Sequence, residues 1–267
     1  MSTPPAPPPD PVLRARGLAR TFRLRTGTVT AVRGVDLTVA RGSVTGLLGP
    51  NGAGKTTTLR MLATLLRPTG GTAEVAGHDL LRDPHAVRAR IGHVSQSGGL
   101  DPSCTGREEL VTQARLHRLS RAEARDRAEA VAADLGLTGL LDRPAGTLSG
   151  GQRRRLEVAL GLVNRPEVLF LDEPTTGLDP GSRADLWDLV RRIRAGLGTT
   201  VLLCTHYLDE ADALADRVVI IDGGTVVAEG SPTDLKRRAT GDPSAPLQDA
   251  FLALTGRAPA ADPLALP

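Results

Sequence analysis

Apolar residues in this chain gather into short runs, and longer stretches with helical spacing separate them. The runs 44–48 (VTGLL), 91–94 (IGHV), 168–171 (VLFL), 199–204 (TTVLLC) and 218–221 (VVII) are too short for helices and too apolar for loops. They read as buried strands. Residues 12–18 and 28–39 are rich in β-branched side chains with turn signals between them, which predicts strands of an antiparallel lobe. Residues 73–75 are a further strand candidate, and 226–228 pairs with 218–221 across Gly223–Gly224 as a hairpin. Helical spacing predicts helices over 56–66, stopped before Pro68, and over 150–163, stopped before Pro166. Residues 107–119 and 121–135 predict two more, the second opened by a Ser120/Glu123 capping box and closed near Gly136. Asp179 and Pro180 make an N-cap and first turn for a helix to 195, and 207–214 is a short helix. Short apolar strands alternating with helices argue for a parallel α/β sheet.

This pattern divides the chain. Residues 1–11 form a Pro-rich polar tail, 12–230 the main domain, 231–257 a helical appendage and 258–267 a second tail. A helical subdomain occupies about 100–165. Both tails lack the composition for a packed core and are expected to be disordered. The appendage holds a short helix, a Pro/Gly-rich linker and a helix at 247–254; docking and a solvated position both remain open for it. No internal repeat is present, so the chain is one unit rather than a tandem pair.

Composition removes several classes. The chain has 267 residues, 40% hydrophobic and 24% charged, which is enough for one sizeable core without staples. Aromatics are only 2%, so that core must be aliphatic. Net charge is +3 with acids and bases interspersed, unlike a nucleic-acid-binding stripe. The short basic clusters 153–155, 191–194 and 236–238 read as solvated helix faces or local contacts. Cys104 and Cys204 have no metal or redox spacing and suit a reducing compartment. No apolar run approaches the roughly 18 residues that span a bilayer, and the N-terminus does not resemble a signal peptide.

The chemistry begins at Gly49-Pro50-Asn51-Gly52-Ala53-Gly54-Lys55-Thr56, followed by Thr57. This matches the G-x-x-x-x-G-K-[ST] phosphate loop, and it lies between an apolar strand and a helix as that motif requires. Its glycines let backbone N–H groups wrap an anion, and the helix start adds free donors and its dipole. Lys55, one of only two lysines, would neutralise the β- and γ-phosphates, and the Thr56 hydroxyl would ligate Mg²⁺. Strand 168–171 then ends in Asp172 and Glu173. A strand buried on both faces releases polar groups only at its end, where open sheets place ligands. Asp172 would hold Mg²⁺, and Glu173 would accept a proton from, or orient, the attacking water.

Leu148-Ser149-Gly150-Gly151-Gln152 opens the helix before that strand. Ser149 and Gln152 fit a capping box, but capping does not explain two glycines in a first turn, where each costs stability. LSGGQ is the ABC signature, and from about Val12 to Gly230 the chain resembles an ABC nucleotide-binding domain. Gln96 is similar to the Q-loop glutamine, Gly177-Leu178-Asp179 to the D-loop, and His206 to the switch histidine. Phe22 stands where the family places an aromatic that stacks on adenine.

The resemblance implies a P-loop NTPase fold of the α/β class, with a mixed core sheet, an N-terminal antiparallel lobe and a helical signature subdomain. It implies ATP and Mg²⁺ as ligands, with Gln96 and His206 sensing the γ-phosphate and the metal. It further implies a head-to-tail dimer with a second copy, in which Ser149, Gly150, Gly151 and Gln152 meet the nucleotide held by the other chain, and Asp179 of the D-loop as a further nucleotide-site residue. The remaining partner would be an integral-membrane permease, with the chain peripheral on the cytoplasmic face. The stretches 105–108, 208–212 and 247–257 are similar to daunorubicin-resistance ATPases of the ABC-2 drug-exporter group. Rival readings are a lipid or polysaccharide exporter, an iron–sulfur-assembly ATPase, a small P-loop kinase and a scaffold without turnover. A kinase needs neither LSGGQ nor a switch histidine, and a scaffold needs neither Glu173 nor His206.

Overall fold

The computed structural model describes residues 11–25 and 27–256. In chain order come β1 (Pro11–Leu24), β2 (Gly27–Ala40), β3 (Val44–Leu48), α1 (Lys55–Leu62), β4 (Gly70–Val75) and β5 (His78–Asp79). Then follow α2 (Pro84–Arg90), β6 (Ile91–Val94), α3 (Gly106–Leu116), α4 (Arg121–Asp134), α5 (Gly150–Leu162) and β7 (Val168–Asp172). The last part holds α6 (Pro180–Leu197), β8 (Thr200–Thr205), α7 (Leu208–Leu214), β9 (Arg217–Asp222), β10 (Thr225–Gly230), α8 (Pro232–Thr240) and α9 (Leu247–Thr255).

Two sheets result. The antiparallel lobe has the order β2-β1-β4-β5, and the core sheet has the order β10-β9-β3-β8-β7-β6. All neighbours in the core sheet are parallel except β9 and β10, so the sheet is mixed. Period-two alternation sorts its side chains. Val168 and Phe170 of β7, with Leu202 and Cys204 of β8, face α1 and the antiparallel lobe. Leu169 and Leu171, with Val201 and Leu203, face α5, α6 and the helical insert. Each such side chain removed from water contributes roughly 1.5–3 kcal/mol, and an aliphatic core therefore suffices despite the scarcity of aromatics.

Several expectations need correction. Pro11 is not tail: it is the first residue of β1, opposite Ala40. The remaining tail residues, 1–10 and 258–267, lie outside the described residues. The hairpin strands run past 18 and start before 28, because backbone pairing carries the exposed Arg/Thr-rich stretch without any apolar alternation. Helix α1 ends at Leu62 rather than 66. Thr64 turns to φ +61° and the Arg60 carbonyl accepts the N–H groups of both Leu65 and Leu66, closing the helix early. Helix α2 and strand β5 went unforeseen, being too short to carry a period; α2 buries only Val87.

The basic cluster 153–155 is not solvated throughout, since Arg154 is buried. The appendage docks. Leu235, Leu247 and Ala250 pack on Leu48, Ile220 and Ala228, and Lys236 donates to Asp212 of α7 at 2.6 Å. Ser120 and Glu123 form the expected capping box of α4, and a second box, Thr105/Glu108, opens α3. Among the described residues no helix is long and apolar enough to cross a membrane.

Candidate functional site

Four parallel strands end at one edge and deliver the polar residues there. β3 leads into Gly49, β6 is followed by Gln96, β7 ends at Asp172–Glu173, and β8 is followed by His206. This is the carboxyl edge, where an open α/β sheet leaves a crevice. A cleft of about 490 Å³ lies there, lined by Ala31, residues 51–57, Gln96 and Glu173.

The loop needs its glycines for measurable reasons. Gly54 caps α1 at φ +105°, and a Cβ there would stand 2.6 Å from the Ala31 carbonyl oxygen. At Gly49 a Cβ would stand 2.2 Å from the Ile221 carbonyl oxygen. Side chains are thereby excluded where the backbone must pass close to β2 and β9. Lys55 is 4% exposed and donates to the Gly49 and Pro50 carbonyls at 2.7 and 3.0 Å. Burial pulls its ammonium below the usual range, while the Glu173 and Asp172 carboxylates pull it back. The Thr56 hydroxyl donates to Asp172 Oδ1 at 2.9 Å. Burial raises the Asp172 carboxyl, and the Thr56 hydrogen bond opposes that.

Glu173 is the meeting point. Gln96 Nε2 donates to its Oε2 at 2.9 Å, and the Thr176 hydroxyl does so at 3.3 Å. His206 Nδ1 lies 3.2 Å from Oε1, and Lys55 Nζ 4.0 Å from it. The backbone of Glu173 is left-handed at φ +47°, a conformation that costs a non-glycine residue about 1–3 kcal/mol and clusters at working sites. Its N–H donates to the Cys204 carbonyl at 2.8 Å, which holds the turn.

The structure thus brings Gly49–Thr57, Gln96, Asp172, Glu173 and His206 together. It leaves the other expected site residues outside this cleft. Phe22 is half-buried on β1, with the Arg20 guanidinium 4.6 Å above its ring, and Ala31 of β2 lines the cleft instead. Asp179 caps α6 and accepts from Ser182 N–H and hydroxyl at 3.0 and 2.6 Å. Ser149 and Gln152 form their capping box, at 3.2 and 3.0 Å. The two glycines between them separate. A Cβ on Gly151 would meet Ser182 Oγ at 2.5 Å, so packing against α6 accounts for it. Gly150 is exposed and a Cβ there would meet only Leu178, at 3.8 Å, so nothing among the described residues requires a glycine.

Residues 32–176 match the ABC transporter family. The chain belongs to that family. It is 53% identical over 228 residues to the daunorubicin/doxorubicin resistance ATP-binding protein DrrA of Streptomyces peucetius, covering 85% of this chain and 68% of that protein. It is 46% identical over 230 residues to the doxorubicin resistance ATP-binding protein DrrA of Mycobacterium tuberculosis, covering 86% and 69%. Among solved structures, the dimeric post-hydrolysis ATP-binding cassette MJ0796 bound to ADP and phosphate superposes with TM-score 0.74 at 26% identity, covering 82% of this chain and 98% of that one. This ABC chain is a transporter subunit that binds and hydrolyses ATP.

The cassette holds one buried acid that the sequence did not single out. Glu210 of α7 is fully buried beside Thr175, Thr205 and Trp187. Burial raises its carboxyl above the usual 4.5, and the polar groups of Thr205, Thr175 and Trp187 nearby oppose the rise only in part, since neither carboxylate oxygen makes a hydrogen bond among the described residues. An acid raised in the fold binds more protons folded than unfolded between its two values, so stability falls as pH rises from about 4.5 through the folded value. Glu210→Gln is expected to flatten that slope. Urea unfolding from pH 5 to 8 tests this, and parallel profiles for the two proteins would refute it.

Proposed function

We propose that this subunit drives export of a hydrophobic drug through a separate ABC-2 type permease, as a head-to-tail pair peripheral to the cytoplasmic membrane face. The observation that carries the reading is the identity of 52–53% over more than four-fifths of the chain to daunorubicin and doxorubicin resistance ATP-binding proteins. A Nod factor export ATP-binding protein of Ralstonia nicotianae is less similar, at 44%. The cassette proper would span 11–230, Pro11 included as the first residue of β1, with its helical subdomain at about 100–165, and 231–257 would serve as an appendage.

In this reading ATP lies in the cleft with its phosphates against the amides of residues 49–57. Lys55 leaves the carbonyls of Gly49 and Pro50 for the β- and γ-phosphates. Phe22 offers an aromatic face to adenine at the lobe edge. Thr56 and Asp172 stand side by side with hard oxygen donors, the set that suits Mg²⁺, and Gln96 reaches the same region. When bound, that ion neutralises charge developing on the phosphate oxygens. Glu173 takes a proton from, or orients, the attacking water, with Gln96 bonded to one of its oxygens and His206 beside the other. Ser149 and Gly150 of the second copy close over the γ-phosphate, as the exposed, unoccupied face of Gly150 permits. Gly151, Gln152 and Asp179 shape that helix start and its neighbour. Loss of the γ-phosphate charge then loosens the pair.

Everted membrane vesicles carrying this chain with its permease are expected to accumulate doxorubicin only when ATP is supplied. Equal accumulation with and without ATP would sink the drug reading. ATP-driven uptake of Nod factor alone would move the substrate to the second group.

A further inference from the structure

Arg154 sits in α5, two residues past the signature, and only 6% of its surface is exposed. A buried guanidinium is costly unless every donor finds an acceptor. Here the acceptors come from separate parts of the chain. Nε donates to the Pro174 carbonyl at 2.8 Å and Nη2 to the Asp172 carbonyl at 3.3 Å. Nη1 donates to the Ser95 carbonyl at 2.8 Å and to Glu157 Oε2 at 2.6 Å. Asp172 and Pro174 flank Glu173, and Ser95 precedes Gln96.

The pairing with Glu157 extends the grip. A Cβ on Gly98 would stand 2.3 Å from Glu157 Oε1, so the Glu157 carboxylate lies directly against the segment that follows Gln96. One ion pair on α5 therefore meets that segment at two points: Arg154 bonds the Ser95 carbonyl, and the Glu157 carboxylate packs against Gly98. The same guanidinium also brackets the left-handed turn at Glu173.

We propose that Arg154 is a positioning residue for hydrolysis: it fixes the backbone on both sides of Glu173 and next to Gln96, so that the Gln96–Glu173 hydrogen bond forms in one geometry. The proposal rests on the reading of Glu173 as the group that activates water. Arg suits the task because its planar fork presents several N–H donors in fixed directions, whereas a lysine ammonium on a flexible stem cannot reach three carbonyls and a carboxylate at once.

The test is a double-mutant cycle read by single-turnover phosphate release. Arg154→Lys alone is expected to lower the rate about 30-fold, since small misplacements of reacting groups cost on that order. ATP affinity of the isolated chain, read with a fluorescent ATP analogue, is expected to change less than about threefold, because no cleft-lining residue is altered. If Arg154 acts through Glu173, adding Arg154→Lys to Glu173→Gln costs less than about threefold more. A full, multiplicative loss in the double variant overturns the proposal, as does an unchanged rate in Arg154→Lys. Near-normal hydrolysis by Glu173→Gln alone would instead overturn the reading of Glu173. Should Arg154→Lys lose its cooperative melting transition, Glu157→Gln decides. It leaves the three carbonyl bonds in place, so a smaller loss, again absorbed by Glu173→Gln, supports the proposal, and an unaltered or multiplicative rate refutes it.

Discussion

Glu173→Gln is expected to lower steady-state ATP hydrolysis about a thousandfold, within the range that removal of a positioned acid–base group produces. The substitution keeps the side chain's shape and its place in the turn that the Cys204 carbonyl holds. It removes the negative charge on which Gln96, Thr176, His206 and Lys55 converge. An amide offers one acceptor oxygen where the carboxylate offers two, and its NH₂ group faces donors rather than acceptors. ATP binding should survive, because the amides and glycines of the phosphate loop are untouched. Removing the fixed charge nearest Lys55 should even leave its ammonium freer for phosphate. Phosphate-release kinetics at saturating ATP check the claim. A rate within about tenfold of the unaltered protein would mean that the water is activated elsewhere.

Ser149→Arg is the second large effect. In one chain the signature start lies outside the phosphate-loop cleft, and its hydroxyl only caps α5. A single chain should therefore bind ATP as before. In a head-to-tail pair the long cation would enter the space of the γ-phosphate and push the second copy away. ATP-dependent dimerisation, measured by size exclusion in the Glu173→Gln background, should weaken by at least about a hundredfold, and hydrolysis should fall with it. Loss of the cap itself costs only about 1 kcal/mol, so the folded chain should persist with a modestly lower melting temperature. Dimerisation of the altered chain at the original ATP concentration would remove the signature from the site.

Local codes made much of this legible in advance. The phosphate loop is a backbone shape that glycine spacing specifies, and it comes with a strand on one side and a helix start on the other. Asp172 and Glu173 follow a strand whose every side chain is apolar, so their place at a sheet edge follows from chain order alone. The caps at Ser120, Ser149 and Asp179 involve partners three residues away and need no tertiary information.

Sequence alone thus determined the family, the class of fold and the residues that line the cleft at the sheet edge, because each of these rests on contacts within a few positions or on strand ends in a fixed order. Tertiary structure decided what depends on neighbours far along the chain. Arg154 stands in a short basic run that reads as a solvated face or as local contacts, and its spacing from Gly151 and Val158 places it on the apolar face of α5, where the contacts win. Only folding supplied the carbonyls of Ser95, Asp172 and Pro174 that make its burial tolerable. Gly151 owes its identity to Ser182, and the tail helices owe their docking to Leu48 and Ile220. Such contacts leave no local trace, since a side chain's desolvation cost is set by whatever distant groups the fold brings to meet it.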